Sequence, residues 1–304
     1  MKYKGLILFS SLAIAVLAPL AVYPVFLMQG LCLALFASAF NLLLGYGGLL
    51  SFGHAAFYGW AAYTTAHSAK VWELGPELAI LSGVACSVVM GAVFGLLAIR
   101  RQGIYFAMVT LALAQMMYFA ALQAPFTHSE DGIQGVPRGH LLGLVDLSNQ
   151  IVMYYFVLGI FLVSLAAIYR IIHSPFGQVL KAVRENEVRA QSMGFKTIRV
   201  KLLAFILSAS FSGLAGALSA LVFQLASLAG VDWHLSGEVV LMTMLGGVGT
   251  VLGPAIGAFG LVAIQGGFGD LGSWTTFVQG GLFVFCVMVF RKGVGGELLA
   301  RWKF

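Results

Sequence analysis

The chain has 304 residues, of which 60% are hydrophobic and only 9% charged, with a formal net charge of +6. So little charge cannot cover a water-soluble domain, and the composition predicts an integral membrane protein built from many helices. The apolar runs are continuous instead of alternating, which argues against a transmembrane β-barrel. The basic residues gather at the ends of those runs, a pattern of membrane topology that gives no case for nucleic acid.

In chain order, apolar segments fall at 6–27, 28–44, 54–69, 77–99, 104–122, 152–172, 201–228, 237–268 and 273–290. The first is long for a secretory signal and is followed at once by more apolar sequence, so it reads as a retained span. The second runs into four glycines, Gly45, Gly47, Gly48 and Gly53, and then an ionisable side chain, His54. Helix breakers beside a histidine at membrane depth read in two ways. His54 either lines a path or serves a carbonyl freed by the break, and Ser51 can do the same. Phe52 and Phe57 beside them read as packing or as a gate. In the fifth segment Thr110 and Gln115 have bundle-facing hydrogen bonding as their default role. Cys32, Cys86 and Cys286 lie within apolar runs, with no metal-ligand or disulfide spacing.

Charge sets the expected topology. Lys2 and Lys4, Arg100 and Arg101, the loop at 173–201, and Arg291, Lys292, Arg301 and Lys303 are the basic stations. With these in the cytoplasm and the N-terminus inside, the polar loop at 123–150 lies outside. That loop carries Glu130 and Asp131. Segment 237–268 must then enter and leave, although it is too long for one span and short for two. Gly246, Gly247, Gly249 and Pro254 sit at its middle, so two half-helices around a break are predicted, facing an interior path. Glu238, near its start, reads as a first-turn acid at a helix N-terminus or as a contact for a solute's amino group. At an offset of 200 residues, Gly47, Gly53 and Ala55 meet Gly247, Gly253 and Ala255, a weak sign of an internal repeat. The small-residue run "SASFSGLAGALSA" at 208–220 suits close helix packing.

The loop "HSPFGQVLKAVRENEVRAQSMGFKTIRVK" at 173–201 is the most charged part of the chain. Ser174-Pro175 is a helix start, residues 178–193 are all competent helix formers, and Gly194 suits a C-terminal cap. Val179, Ala182, Val183 and Ala190 form a thin apolar stripe. A solvated surface helix and an amphipathic docking helix both fit that pattern.

Four blocks together resemble the permease subunits of ATP-binding-cassette importers for branched-chain amino acids, specifically the larger of the usual two. They are "GYGGLLSFGHAAFYGWAAY" at 45–63, "GIYFAMVTLALAQMMY" at 103–118, the run from Ser174 to Leu218, and "MLGGVGTVLGPAIGA" at 244–258. The resemblance implies an all-α polytopic bundle forming a single permease domain over 1–304, with discontinuous Gly-rich segments and a cytoplasmic coupling helix. It further implies two cytoplasmic ATPase subunits, a sister permease and a periplasmic binding protein as partners in a bacterial inner membrane. Lys181, Arg184, Glu185, Glu187, Arg189, Ala190 and Gly194 fall in the block that resembles the coupling loop, with Arg189 where the family has a small residue. The chain has no G-x-x-x-x-G-K-[ST] loop, so no cofactor is expected on it and ATP would be held by the partners. Urea, short amides and aromatic acids are alternative solutes for the same class. An ion-coupled carrier or channel would need intramembrane acids or no docking loop. No nucleophile–base pair supports an enzyme.

Overall fold

The computed structural model describes residues 15–20, 22–141, 143, 145–268 and scattered positions between 277 and 293. Most of the expected first span, the final span at 273–290 with Cys286, and the basic residues Lys2, Lys4, Arg291, Lys292, Arg301 and Lys303 lie outside the described residues. Among the described residues the main helices are, in chain order, α1 Pro24–Tyr46, α2 His54–Lys70, α3 Pro76–Ala98, α4 Ile104–Gln123, α5 Gln150–His173, α6 Pro175–Glu185, α7 Glu187–Ser192, α8 Thr197–Phe223, α9 Trp233–Gly246 and α10 Gly253–Phe268. Among the described residues, α1, α3, α4, α5 and α8 are long and apolar enough to cross a membrane. This is the polytopic helical bundle that the composition demanded.

Two of these helices form the centre. α1 packs against α5, α8, α9 and α10, and α8 packs against α2 and α3. α1 is buried almost all round, whereas α4 is the least covered, with Ile104, Tyr105, Met108, Met116 and Phe119 turned outward. An apolar outer surface of that kind is at home in lipid, where it needs no polar cover. The small-residue run does what its composition suggested. A Cβ on Gly216 would run into the backbone carbonyl of Tyr58 on α2, and one on Gly91 of α3 would lie 2.6 Å from the Ala209 side chain. Lacking those atoms, the three helices approach closely.

Two opposite faces close the bundle. On one, the loop after α4 is tied down: its strand β1 (Ile133–Gln134) pairs antiparallel with β4 (Leu225–Ala226), just past α8. Between them in sequence, β2 (His140–Leu141) and β3 (Val145–Asp146) form a small antiparallel hairpin. Arg138 donates to the carbonyls of Leu221 and Val222 at 3.2 and 2.8 Å, capping the end of α8, and Lys70 donates to Gln134 O at 2.7 Å. We call this the loop face. The basic face carries the 99–103 turn with Arg100 and Arg101, helices α6 and α7, and the 247–252 break, as the charge pattern required.

Three boundaries differ from the sequence expectation. The second span begins at Pro24 instead of residue 28, because proline suits a first helical turn and Tyr23 ahead of it is extended. The helix foreseen over 178–193 is two helices. Asn186 leaves the helical region and its side-chain oxygen accepts from Arg189 N at 2.9 Å, ending α6 and starting α7. The segment expected from 237 starts at Trp233, where Asp232 caps by accepting from His234 N at 3.1 Å. Glu238 therefore sits in the second turn of α9, half-buried, and is not the first-turn acid expected of it.

Candidate functional site

The last turn of α1, Leu42–Tyr46, widens into a π-turn before the chain enters the irregular stretch at 47–53. A wide turn displaces carbonyls from their regular partners. The Gly45 carbonyl accepts a hydrogen bond from the Arg184 guanidinium of α6. Gly48 has a φ of +69°, a left-handed geometry that glycine adopts freely, and a Cβ there would fall 2.9 Å from Cγ of Arg184. Lys181 lies over the Tyr46 ring, 5.5 Å from its centroid, and Leu180 beside Gly47 is fully buried. Leu180, Lys181 and Arg184 thus all touch the π-turn, Leu180 buried, Lys181 half-buried and Arg184 exposed while its guanidinium reaches back to the turn.

Asn41, in the turn before, fastens the second break. Its side-chain oxygen accepts from Gly249 N at 2.9 Å and its amide donates to Thr250 O at 2.7 Å. Gly247 and Gly249, with φ of +107° and +79°, turn the chain from α9 into α10, and Gly293 rests against Gly247. A Cβ on Gly246 or Gly257 would strike the backbone of the facing helix, and Pro254 follows Gly253 in the first turn of α10. The two glycine-rich segments, 200 residues apart, meet in space. In each, a helix starts within one residue of the matching register, His54 in α2 and Gly253 in α10.

The exposed start of α2 is satisfied by side chains from elsewhere. Gly53 N donates to Ser51 Oγ at 3.2 Å, Phe52 N to Thr110 Oγ1 of α4 at 3.2 Å, and Ala55 N to Ser236 Oγ of α9 at 2.9 Å. Ser51, Thr110 and Ser236 are all fully buried, as their roles require. Gln115, farther along α4, is half-buried.

His54 is fully buried. Its Nε2 lies 2.8 Å from Ser208 Oγ on α8, and Ser208 donates its own proton to the Ala39 carbonyl of α1 at 2.6 Å. With that proton committed, Ser208 accepts, so His54 carries its hydrogen on Nε2. Phe40, Phe57 and Phe205 surround the imidazole edge to face, with centroids at 5.0, 5.7 and 6.1 Å. His54 therefore joins α1, α2 and α8 inside an aromatic box. Phe57 is part of that packing, while Phe52 lines a cavity of about 500 Å³ between the 47–53 stretch and the start of α4, with Leu49, Leu50 and Phe106.

On the outer side of the helix pair, Glu185 and Arg189 are exposed, as are the apolar Val188, Met193 and Phe195. Ala190 is fully buried, and Gly194, at φ +88°, closes α7 as the sequence suggested. Glu187 turns inward. Its carboxylate pairs with Lys201 Nζ of α8 at 2.7 Å and accepts from Gln102 at 2.8 Å. Sequence reasoning missed Asn41, Ser208, Ser236 and Lys201. Only Lys201 had any signal, as a charge inside the first turns of a span.

Membrane-length helices around two interrupted segments, with a charged helix pair gripping one interruption, define a polytopic membrane protein with a discontinuous interior. The chain belongs to the family described as the permease component of the branched-chain amino acid transport system, whose model matches residues 24–287. Among its relatives, the high-affinity branched-chain amino acid transport system permease protein LivM of Salmonella typhimurium is 29% identical over 274 residues, 83% of this chain and 64% of that protein. LivM of Escherichia coli is 28% identical over the same shares. The ribose import permease protein RbsC of Bacillus subtilis is 26% identical over 233 residues, 71% of this chain and 69% of that one. The chain thus spans just under two thirds of the length of the two LivM relatives. No solved structure matches it at a significant level.

Proposed function

We propose that this chain is the permease subunit of an ATP-driven importer in a bacterial inner membrane, forming half of the translocation path for branched-chain amino acids. The observation that carries this reading is the α6–α7 pair. Its outer side offers Val188, Met193 and Phe195 among exposed charges, a surface suited to a protein groove, while α6 holds the first interrupted segment. The basic face is then cytoplasmic, with the N-terminus on that side, and two ATPase subunits supply the energy. ATP is held by them and not by this chain, which acts as a conduit and not as an enzyme. A sister permease completes the path, and a periplasmic binding protein meets the loop face, where Glu130 and Asp131 are exposed. Arg184, Asn41 and the glycines at 45–53 and 246–253 lie along the moving part of the path. The apolar cavity beside Phe52 suits a solute with an aliphatic side chain.

The test is uptake by the complete complex in proteoliposomes. Radiolabelled leucine, isoleucine or valine should accumulate only when ATP and the binding protein are both present. Accumulation without ATP would remove the energy coupling, and accumulation of none of the three would remove the solute class.

A further inference from the structure

The family resemblance placed Lys181 and Arg184 in the block that would face an ATPase. Both make contacts within the protein, Lys181 over the Tyr46 ring and the exposed Arg184 through its guanidinium to Gly45. Arg184 is the side chain by which α6 holds the Gly45 carbonyl, Gly48 leaves room for its stem, and Gly45 in turn lies against Gly249. A Cβ on Gly45 would come within 2.7 Å of Gly249 N, so the two interruptions are in backbone contact there. Asn41 then ties Gly249 and Thr250 to α1 with both halves of its amide. From α6 the connection runs through the Arg184 stem and one charge-assisted hydrogen bond into the first interruption, and from there through backbone contact and the short Asn41 side chain into the second.

We infer that Arg184 is a positioning residue that transmits displacement of α6 to both glycine-interrupted segments together, by way of Gly45 and Asn41. This rests on the reading of α6–α7 as the element driven by the ATPase subunits. A planar guanidinium with several donors can follow a carbonyl through a shift, whereas a shorter or neutral side chain loses it. The two segments therefore move as one body when α6 moves. Lys181 over Tyr46 adds a second hold on the same turn.

The experiment uses the complete complex in proteoliposomes with leucine as the solute, comparing the wild type with Arg184→Met and Arg184→Lys. Arg184→Met should keep ATP hydrolysis and lose about tenfold in leucine taken up per ATP, the weight of one hydrogen bond to a charged group. Arg184→Lys, which restores a cationic donor, should recover most of that loss. A second arm needs no knowledge of the solute. In a chain with Cys32, Cys86 and Cys286 changed to Ala, Val248→Cys places a thiol on the break at a position 40% exposed. Its labelling by a membrane-impermeant maleimide should change when ATP and vanadate trap the ATPase subunits, and Arg184→Met should abolish that change. Should Arg184→Met fail to reach the membrane, Arg184→Gln serves in both arms. An unchanged uptake-to-hydrolysis ratio in the variant, or a trapping-dependent change of Val248→Cys labelling that survives Arg184→Met, overturns the inference, as does labelling indifferent to trapping in the wild-type background. Absence of ATP-dependent uptake of leucine by the wild-type complex would instead sink the functional proposal, leaving the labelling arm to judge the connection by itself.

Discussion

Replacing Glu187 with leucine should loosen α7 from the bundle without unfolding the rest. The Glu187 and Lys201 side chains are 20% and 8% exposed, and their charges meet at 2.7 Å. Removing one member of a buried pair costs about 3–5 kcal/mol, because the other charge is left uncompensated. The partial exposure of Glu187 lets water relieve some of this, so about 2–3 kcal/mol is the expected loss. Gln102 bonds to the same carboxylate oxygen but is neutral and cannot balance Lys201. The loss falls on a helix of six residues, Glu187–Ser192, held mainly by this pair and by the cap on Asn186. It should therefore appear as local opening. Hydrogen exchange in detergent or nanodiscs reads it directly at the Ala190 and Met193 amides, which bond to the carbonyls of Asn186 and Arg189. Their exchange should quicken by roughly 30- to 150-fold. Glu187→Leu with Lys201→Met leaves no stranded charge and should restore most of the protection. Exchange in Glu187→Leu within about threefold of the wild type, or a double variant opening as freely as the single one, would show that the pair does not hold α7.

Two further outcomes follow from the two faces. Val188→Asp with Met193→Asp places charge on exposed apolar positions of α7, so the chain should still insert in the membrane. If α7 docks on ATPase subunits as proposed, their recovery by affinity purification of this chain should fall at least about tenfold, as for loss of a small hydrophobic anchor, and undiminished recovery would move the docking surface elsewhere. On the loop face, the Asp146 carboxyl is held below its ordinary range by hydrogen bonds from the backbone and hydroxyl of Ser148. A depressed acid stabilises above its unfolded value and releases as pH falls through its folded one, so the β2–β3 hairpin should loosen only on the acid side. Limited proteolysis across 138–148 should show that acid-side change in the wild type and a flat profile in Asp146→Asn.

Much of the framework was legible in the sequence because it rests on composition and charge. The spans at 77–99, 104–122 and 152–172 reappear within a few residues, since a membrane helix must be apolar over its whole length whatever it packs against. The break at 246–253 followed from charge parity and glycine, both local features. What stayed hidden depends on which side of a residue another part of the chain occupies. Nothing in the local pattern of α6 says that the exposed Arg184 reaches a backbone carbonyl of α1, because the helix has protein on one side and solvent on the other and both accept charge. Asn41, Ser208 and Ser236 each serve a backbone group more than 150 residues away, at a register that no spacing encodes. The split at Asn186 was missed because the helix formers around it masked a side chain that competes for the backbone.

α8 meets both faces. Its first turns hold Lys201 against α7, and its last carbonyls are capped by Arg138, next to the β1–β4 pair. Its 27 residues make a rod roughly 40 Å long at 1.5 Å per residue. Pivoting about one end by about 5° would carry the other through roughly 3.5 Å, a helix shift of ordinary size for a conformational switch. The helix is therefore a lever whose two handles are presented to opposite compartments. Partners bound at the loop face and at α7 would be in mechanical contact through this one helix without touching each other.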